Sequence, residues 1–317
     1  HAEISALRDA QAAGRDVRGA TAFVTLEPCC HHGRTGPCCE ALVEAGIARV
    51  VASCEDPNPR VAGQGFARLR AAGIEVQVGP GSAQSRELNL GFFSRMLRGT
   101  PWVRLKVAAS LDGRTALENG TSQWITAEGA RADGHAWRAR AGALLTGIGT
   151  VLEDDPRLDV RLAPTTRQPP LVLVDSRLEV PLSARLFVPG RPHWIYTAQP
   201  RSPKWKELED RGAEVVALPG PGGKVDLAAL LRDLAAREVS ELHVEAGHKL
   251  NGSLVREGLV DELLVYLAPK LIGLGQPMAH FGPLTGLDQA LPLRFVSSER
   301  VGADLRLVAR VSGRDTF

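Results

Sequence analysis

The sequence predicts an α/β protein built as two consecutive domains, and three observations carry that expectation. The chain has 317 residues, too many for one ordinary hydrophobic core and well suited to two. Short apolar runs alternate with segments of helical periodicity from one end to the other, the pattern of strand–helix units with mostly parallel pairing. Between them, Arg98-Gly99-Thr100-Pro101 breaks a helical segment, because proline cannot continue a helix and restricts the residue before it. The expected domains are residues 1–98 and 101–317.

Composition narrows the function. Hydrophobic residues make up 44% of the chain, enough for packed cores, yet no apolar run approaches the roughly 18 residues of a membrane span, so no membrane partner is expected. A net charge of +2 with 5% aromatics offers neither the basic groove nor the stacking platform that nucleic acid needs, which disfavours it as a partner. Of five cysteines, four lie at 29, 30, 38 and 39. That spacing reads as metal chemistry in a reducing, cytoplasmic setting rather than a disulfide framework. A small-molecule substrate is the expected partner; a homo-oligomer is compatible with the chain but not specified by it.

Residues 1–14 are helix-prone, with Ile4, Leu7 and Ala10 or Gln11 spaced for one face. A buried strand is expected over 21–26, a helix from Cys38 through Ala45, and a strand over 48–53. A helix over 65–72 and a strand over 74–78 follow, then one helix from Gly81 to about Leu97. Within this frame, His1, Cys29 and Cys38 supply an imidazole and two thiolates, the three N/S ligands of a catalytic zinc with its fourth position open. Glu3 supplies a carboxylate that is not a ligand and is free to carry protons. On a regular helix His1 and Glu3 lie about 200° apart, so they serve one site only at the helix mouth, where first-turn side chains converge. Cys38 at a helix N-terminus favours the thiolate. Cys30 and Cys39 are expected bystanders and Cys54 a packed thiol, while His31 or His32 could each replace a cysteine ligand.

The H-x-E of His1-Ala2-Glu3, the run Thr25-Leu26-Glu27-Pro28-Cys29 and then His32-Gly33-Arg34-Thr35 before Cys38 resemble the deaminase half of the bifunctional riboflavin-biosynthesis deaminase–reductase family. The resemblance implies a cytidine-deaminase-like α/β/α domain. It assigns Zn2+ to His1, Cys29 and Cys38, catalysis to Glu3 and a substrate contact to Arg34, which could equally be a surface arginine in a turn. In that family a strand, a helix and part of the pocket precede the HAE motif. This chain opens on the motif, so an N-terminally incomplete deaminase domain is expected.

The second domain begins with a strand over 103–109 that runs into Ser110-Leu111-Asp112-Gly113, then Ser122-Gln123-Trp124-Ile125-Thr126, with Thr126 the expected cap of a helix through Arg138. A strand over 143–146 opens into Gly147-Ile148-Gly149-Thr150 and Asp154-Asp155-Pro156-Arg157-Leu158. The third glycine of the dinucleotide fingerprint is absent, so a Rossmann reading fails. Ser202 before Pro203, with Gly212 beyond, and Asp226 before the stripe Leu227, Leu230, Leu231, Leu234 mark two further helices. A strand over 242–245 enters Ala246-Gly247, and strands over 263–267, 293–296 and 305–311 complete a mixed sheet.

Strand ends that pass through small residues into helix N-termini are where phosphates bind. In this order, KxAxSLDG, SQWIT, GxGTVxxDDPRL and VEAG resemble the reductase half of the same family, which implies a dihydrofolate-reductase-like α/β fold and NADPH. Ala246 stands where the family usually has glycine. The resemblance implies NADPH contacts at Ala108, Trp124, Thr150, Asp154, Ser176 and the turn from Gly247, and substrate contacts at Ser122, Arg138, Leu158, Arg161 and Glu245. Guanidinium forks suit a ribose phosphate, so Arg138 and Arg161 are expected to form a clamp, and Lys106 could polarise the sugar carbonyl. The implied function is a two-step enzyme acting on a phosphoribosylaminopyrimidine: hydrolytic deamination, then reduction of the ribosyl group to ribityl. The rivals are a reductase on an inactive deaminase shell, a nucleic-acid base deaminase and a structural zinc module.

Overall fold

The structure, a computed structural model, describes residues 1–32 and 36–317. They gather into two compact units, His1–Arg98 and Gly99–Phe317. In the first, α1 (Ala2–Ala12) is followed by β1 (Thr21–Val24), α2 (Cys38–Glu44), β2 (Arg49–Ala52), α3 (Gln64–Ala71), β3 (Glu75–Val78), α4 (Ser82–Leu88) and α5 (Leu90–Arg98). The three strands pair in parallel in the order β1-β2-β3, with Thr21 opposite Arg49 and Arg49 opposite Glu75. Leu42, Ile47, Val50, Leu69 and Ile74 form the centre of the core between helices and sheet.

Two expectations are corrected here. β1 is not a buried strand: it is a sheet edge, and Phe23 is 78% exposed. The helix expected over 81–97 is two helices. At Asn89 the side-chain amide donates to the Ser85 carbonyl at 2.8 Å, competing with the main-chain ladder, and the backbone leaves helical geometry at φ −115°.

The second unit runs β4 (Trp102–Ser110), β5 (Arg114–Leu117), α6 (Glu128–Arg140), β6 (Ala143–Gly147), α7 (Ile148–Asp154), β7 (Leu171–Val174) and β8 (His193–Thr197). It continues with α8 (Pro203–Asp210), β9 (Ala213–Ala217), α9 (Leu227–Ala236), β10 (Glu241–Val244), α10 (His248–Arg256), β11 (Glu262–Ala268), β12 (Gly275–Pro277), β13 (Leu293–Val301) and β14 (Asp304–Val311). One nine-stranded sheet has the order β13-β14-β11-β4-β10-β6-β7-β8-β9. It is parallel from β11 to β9 and antiparallel through β14 and β13, while β5 pairs with β12 separately.

Helices cover both faces of the parallel part, so its strands read as nearly continuous apolar runs. Along β4 every residue is buried except Lys106 and Ala108, two apart and therefore on the same face. The stripe Leu227, Leu230, Leu231, Leu234 is buried against this sheet. Ser202 Oγ accepts from the Trp205 amide at 3.3 Å and Asp226 Oδ1 from the Ala229 amide at 2.8 Å, the two caps expected. The Thr126 cap is corrected: Ala127 is the cap residue of α6, and its N–H donates at 2.7 Å to Asp304 Oδ2 at the start of β14. A carboxylate distant in the chain has taken the place of the local hydroxyl.

Candidate active sites

The first site forms where two helices begin. His1 is the cap residue of α1, Glu3 lies in its first turn, and Cys38 opens α2 behind Pro37. His1 Nδ1 is 3.0 Å from Cys38 Sγ and 3.5 Å from Cys29 Sγ, and the three ligand atoms lie within 4.8 Å of one another. The Cys38 amide donates to Cys29 Sγ at 3.3 Å, a main-chain dipole directed at a sulfur. The Glu3 carboxylate lies close enough to Cys38 for its negative charge to act on that thiol. His1 and Glu3 thus meet at the helix mouth despite their divergent directions along the helix.

Burial, then the Glu3 carboxylate and Cys29, push the Cys38 thiol up. A divalent cation among these donors would reverse that, since ligation holds a thiol deprotonated. One imidazole and two thiols fit the donor set of a catalytic zinc with its fourth position open. Among the described residues this is the one such group. His31 and His32 are not part of it. Cys30 Sγ faces the Arg60 carbonyl at 3.9 Å, Cys39 is buried in the core, and Cys54 is buried beside Ser85. Arg34 lies outside the described residues.

Sequence reasoning passed over Glu27. Its carboxylate is buried and accepts from the amides of Gly63 at 2.9 Å, Phe66 at 3.1 Å and Asp56 at 3.2 Å. It ties the segment that carries Cys29 to the start of α3. A Cβ at Gly65 would lie 2.1 Å from the Pro28 carbonyl, so that position requires glycine. The only signal in the sequence was an acid placed directly before Pro-Cys.

The second site lies at the carboxyl ends of β4, β10, β6 and β7, the crevice where open α/β sheets bind ligands. Gly147 leads β6 into α7, and Gly247 leads β10 into α10. A Cβ on Gly247 would come 3.7 Å from Thr150 Oγ1, so the two turns adjoin. The first-turn N–H groups of α10 have no partner within their helix, and a Cβ at Gly149 would meet nothing within 4 Å. Small residues, Ala108 on the open face of β4 and a helix N-terminus fit a dinucleotide's phosphates. Ser176 Oγ accepts from the Val225 amide at 3.1 Å, and Ser122 Oγ donates to Asp154 Oδ1 at 3.4 Å. Trp124 is exposed, with the Arg131 guanidinium 4.5 Å from its ring centroid.

Behind the crevice Glu245 joins the candidate substrate contacts. Arg138 donates to Glu245 through Nε and, at 2.9 Å, through Nη2; Lys106 Nζ lies 3.6 Å from the same carboxylate. Burial pushes the Glu245 carboxyl up, but Arg138 and Lys106 outweigh it and hold it well below its ordinary range. Each arginine of the expected clamp has an acidic partner in the structure. The Arg138 fork is closed on Glu245, while Arg161 Nη1 donates to Asp159 Oδ1 at 2.6 Å. Asp159 also receives Arg157 at 3.0 Å. Leu158 is buried at φ +51°.

An N/S donor cluster of zinc-deaminase type and a crevice at the strand ends of a mixed α/β sheet define the class: a metal-dependent deaminase joined to a reductase in one chain. Residues 1–54 match the cytidine and deoxycytidylate deaminase zinc-binding region, and residues 101–307 match the RibD C-terminal domain. The riboflavin biosynthesis protein RibD of Escherichia coli K12 is 44% identical over 97% of this chain and 85% of its own length. That of Aquifex aeolicus is 40% identical over 96% and 83%. The Acinetobacter baumannii RibD structure superposes with a TM-score of 0.87 at 39% identity, over 98% of this chain and 85% of that one. A diaminohydroxyphosphoribosylaminopyrimidine deaminase/5-amino-6-(5-phosphoribosylamino)uracil reductase from Thermotoga maritima does so at 0.84 and 31%, over the same shares. The chain belongs to the RibD family of riboflavin biosynthesis proteins.

Proposed function

We propose that residues 1–98 deaminate 2,5-diamino-6-(5-phosphoribosylamino)pyrimidin-4(3H)-one and that residues 101–317 reduce the ribosyl group of the product to ribityl. The observation that carries the first half is the His1, Cys29, Cys38 cluster with Glu3 against it. These three would hold zinc, and the chemistry zinc supplies when bound is Lewis-acid activation of water. Glu3 takes a proton from the attacking water and delivers it to the ring amino nitrogen, which leaves as ammonia while the water oxygen stays on the ring. Arg34 is proposed as a substrate contact.

In the second half Ala108, Trp124, Thr150, Asp154, Ser176 and the turn from Gly247 would hold NADPH, whose contribution when bound is a hydride for the sugar carbon. Lys106 stands within reach of the same face, where its ammonium steadies charge developing on the sugar oxygen. Glu245, anchored by Arg138, orients the sugar, and Ser122, Leu158 and Arg161 line the substrate side. The reductase uses a small, phosphate-bearing pyrimidine, so no macromolecular partner is invoked. Among the described residues no helix is long and apolar enough to cross a membrane. A cytoplasmic setting is supported by five free cysteines.

Two assays on one preparation test this reading: ammonia release from the diaminopyrimidinone, and NADPH oxidation with the deaminated product. A chelator is expected to stop the first and spare the second. Ammonia release that survives complete zinc removal would overturn the assignment of the first half.

A further inference from the structure

The segment between α7 and β7 carries Leu158 and Arg161, yet it has no secondary structure. Among the described residues, nothing from Pro156 to Gln168 makes a backbone-to-backbone hydrogen bond. Asp155 at φ +39° and Leu158 at φ +51° stand in the left-handed region, which disfavours side chains other than glycine and persists only where the surroundings enforce it. The surroundings here are side chains.

Gln168 grips Val160 at both ends: the Val160 amide donates to Oε1 at 2.8 Å, and Nε2 donates to the Val160 carbonyl at 2.9 Å. The Arg161 amide donates to His135 Nδ1 at 3.1 Å, Arg138 Nη1 donates to the Asp159 carbonyl at 3.1 Å, and Arg191 Nη1 to the Arg157 carbonyl at 3.3 Å. His135 and Arg138 sit one turn apart on α6. Gln168 is held by the fixed φ of Pro169 and Pro170 behind it. A carboxamide offers a donor and an acceptor in the spacing of a peptide group, so Gln168 does for Val160 what a neighbouring strand would do.

We propose that Gln168, seconded by His135, is a positioning residue of the reductase: it holds the 157–161 segment in the geometry that presents Leu158 and Arg161 to the substrate. This rests on the assignment of those two residues to the substrate side. Gln168 touches neither substrate nor cofactor and acts through Val160. Its effect is therefore on substrate binding and is conditional on Arg161.

The test is a double-mutant cycle of Gln168→Ala and Arg161→Ala in the full chain, reading NADPH oxidation, ammonia release and melting temperature. Gln168→Ala is expected to raise KM for the deaminated pyrimidine about 10-fold with kcat nearly unchanged, the signature of lost uniform binding. KM for NADPH and ammonia release should stay within about 2-fold of the parent. In the Arg161→Ala background the same change should raise KM by less than about 3-fold, because residues that act through one shared backbone segment couple. An unchanged pyrimidine KM, an equal rise in both backgrounds, or a parallel rise in KM for NADPH overturns the proposal. If Arg161→Ala itself leaves the pyrimidine KM unchanged, the substrate assignment fails first and takes the proposal with it. Should Gln168→Ala not accumulate as folded protein, Gln168→Met, which keeps the length of the side chain and loses both polar groups, serves the same cycle.

Discussion

In the first unit the functional atoms touch one another: an imidazole nitrogen lies 3.0 and 3.5 Å from two sulfurs, with a carboxylate against one of them. In the second unit the candidate residues meet mostly through intermediaries. Arg138 spends its fork on Glu245, Arg161 shares Asp159 with Arg157, and their segment is held by Gln168 and His135. A metal site can be compact because the ion itself cross-links its donors. A site for a large flexible substrate has no such central staple and must be ordered by the scaffold around it. The first should fail all at once when one donor is lost, and the second by degrees.

The sharpest break comes at Cys38. Cys38→Ala, or chelation, is expected to cut ammonia release about a thousandfold or more while NADPH oxidation changes little; parallel assays and zinc analysis check it. Glu3→Gln should cost about 10²–10⁴ in deamination rate with zinc content unchanged, which separates the proton carrier from the ligands. In the second unit Glu245→Ala would leave Arg138 buried without its anion. A loss of about 3–5 kcal/mol of stability is expected, read by denaturant melts of the reductase signal, with the zinc content of the first unit retained.

Acid probes the same contrast. Burial, followed by Arg138 and Arg161, lowers His135 to about 4 from an ordinary 6.5. The unfolded chain takes a proton there that the folded chain refuses. This contribution to stability is therefore whole above pH 6.5 and is lost as the pH falls toward about 4. Melts of the parent and His135→Gln should converge across that window; a pH-independent difference between them would exclude the ionisation. The smallest effect is expected from Asp304→Ala, which removes the carboxylate from the Ala127 amide and should cost about 1 kcal/mol by equilibrium unfolding.

The compact site was legible because its residue types are rare and their roles narrow. Histidine, two cysteines and a nearby glutamate leave few readings once a strand, a loop and a helix start are placed around them. The caps at Ser202 and Asp226 were legible for a similar reason, since each acts on its own helix. What escaped was long-range. The pairing of Arg138 with Glu245 was not legible because the two lie 107 positions apart. Thr126 looked like a cap until Asp304 arrived from β14, and Asn89 split a helix through a side-chain bond that periodicity does not register. Glu27 and Gln168 looked like ordinary polar residues because their work is done on main-chain groups of other segments.

The order of the nine-stranded sheet has a consequence for synthesis. The three strands of the first unit are complete once residue 78 has been made, so that unit can fold while the ribosome is still working on the next. β4 must wait, because Trp102 pairs with Glu241 and Arg104 with Glu262. Its apolar flanks stay unpaired for well over a hundred further residues of elongation. Loop closure over such separations is slow, so the nascent second unit should be the part of this polypeptide most dependent on chaperones.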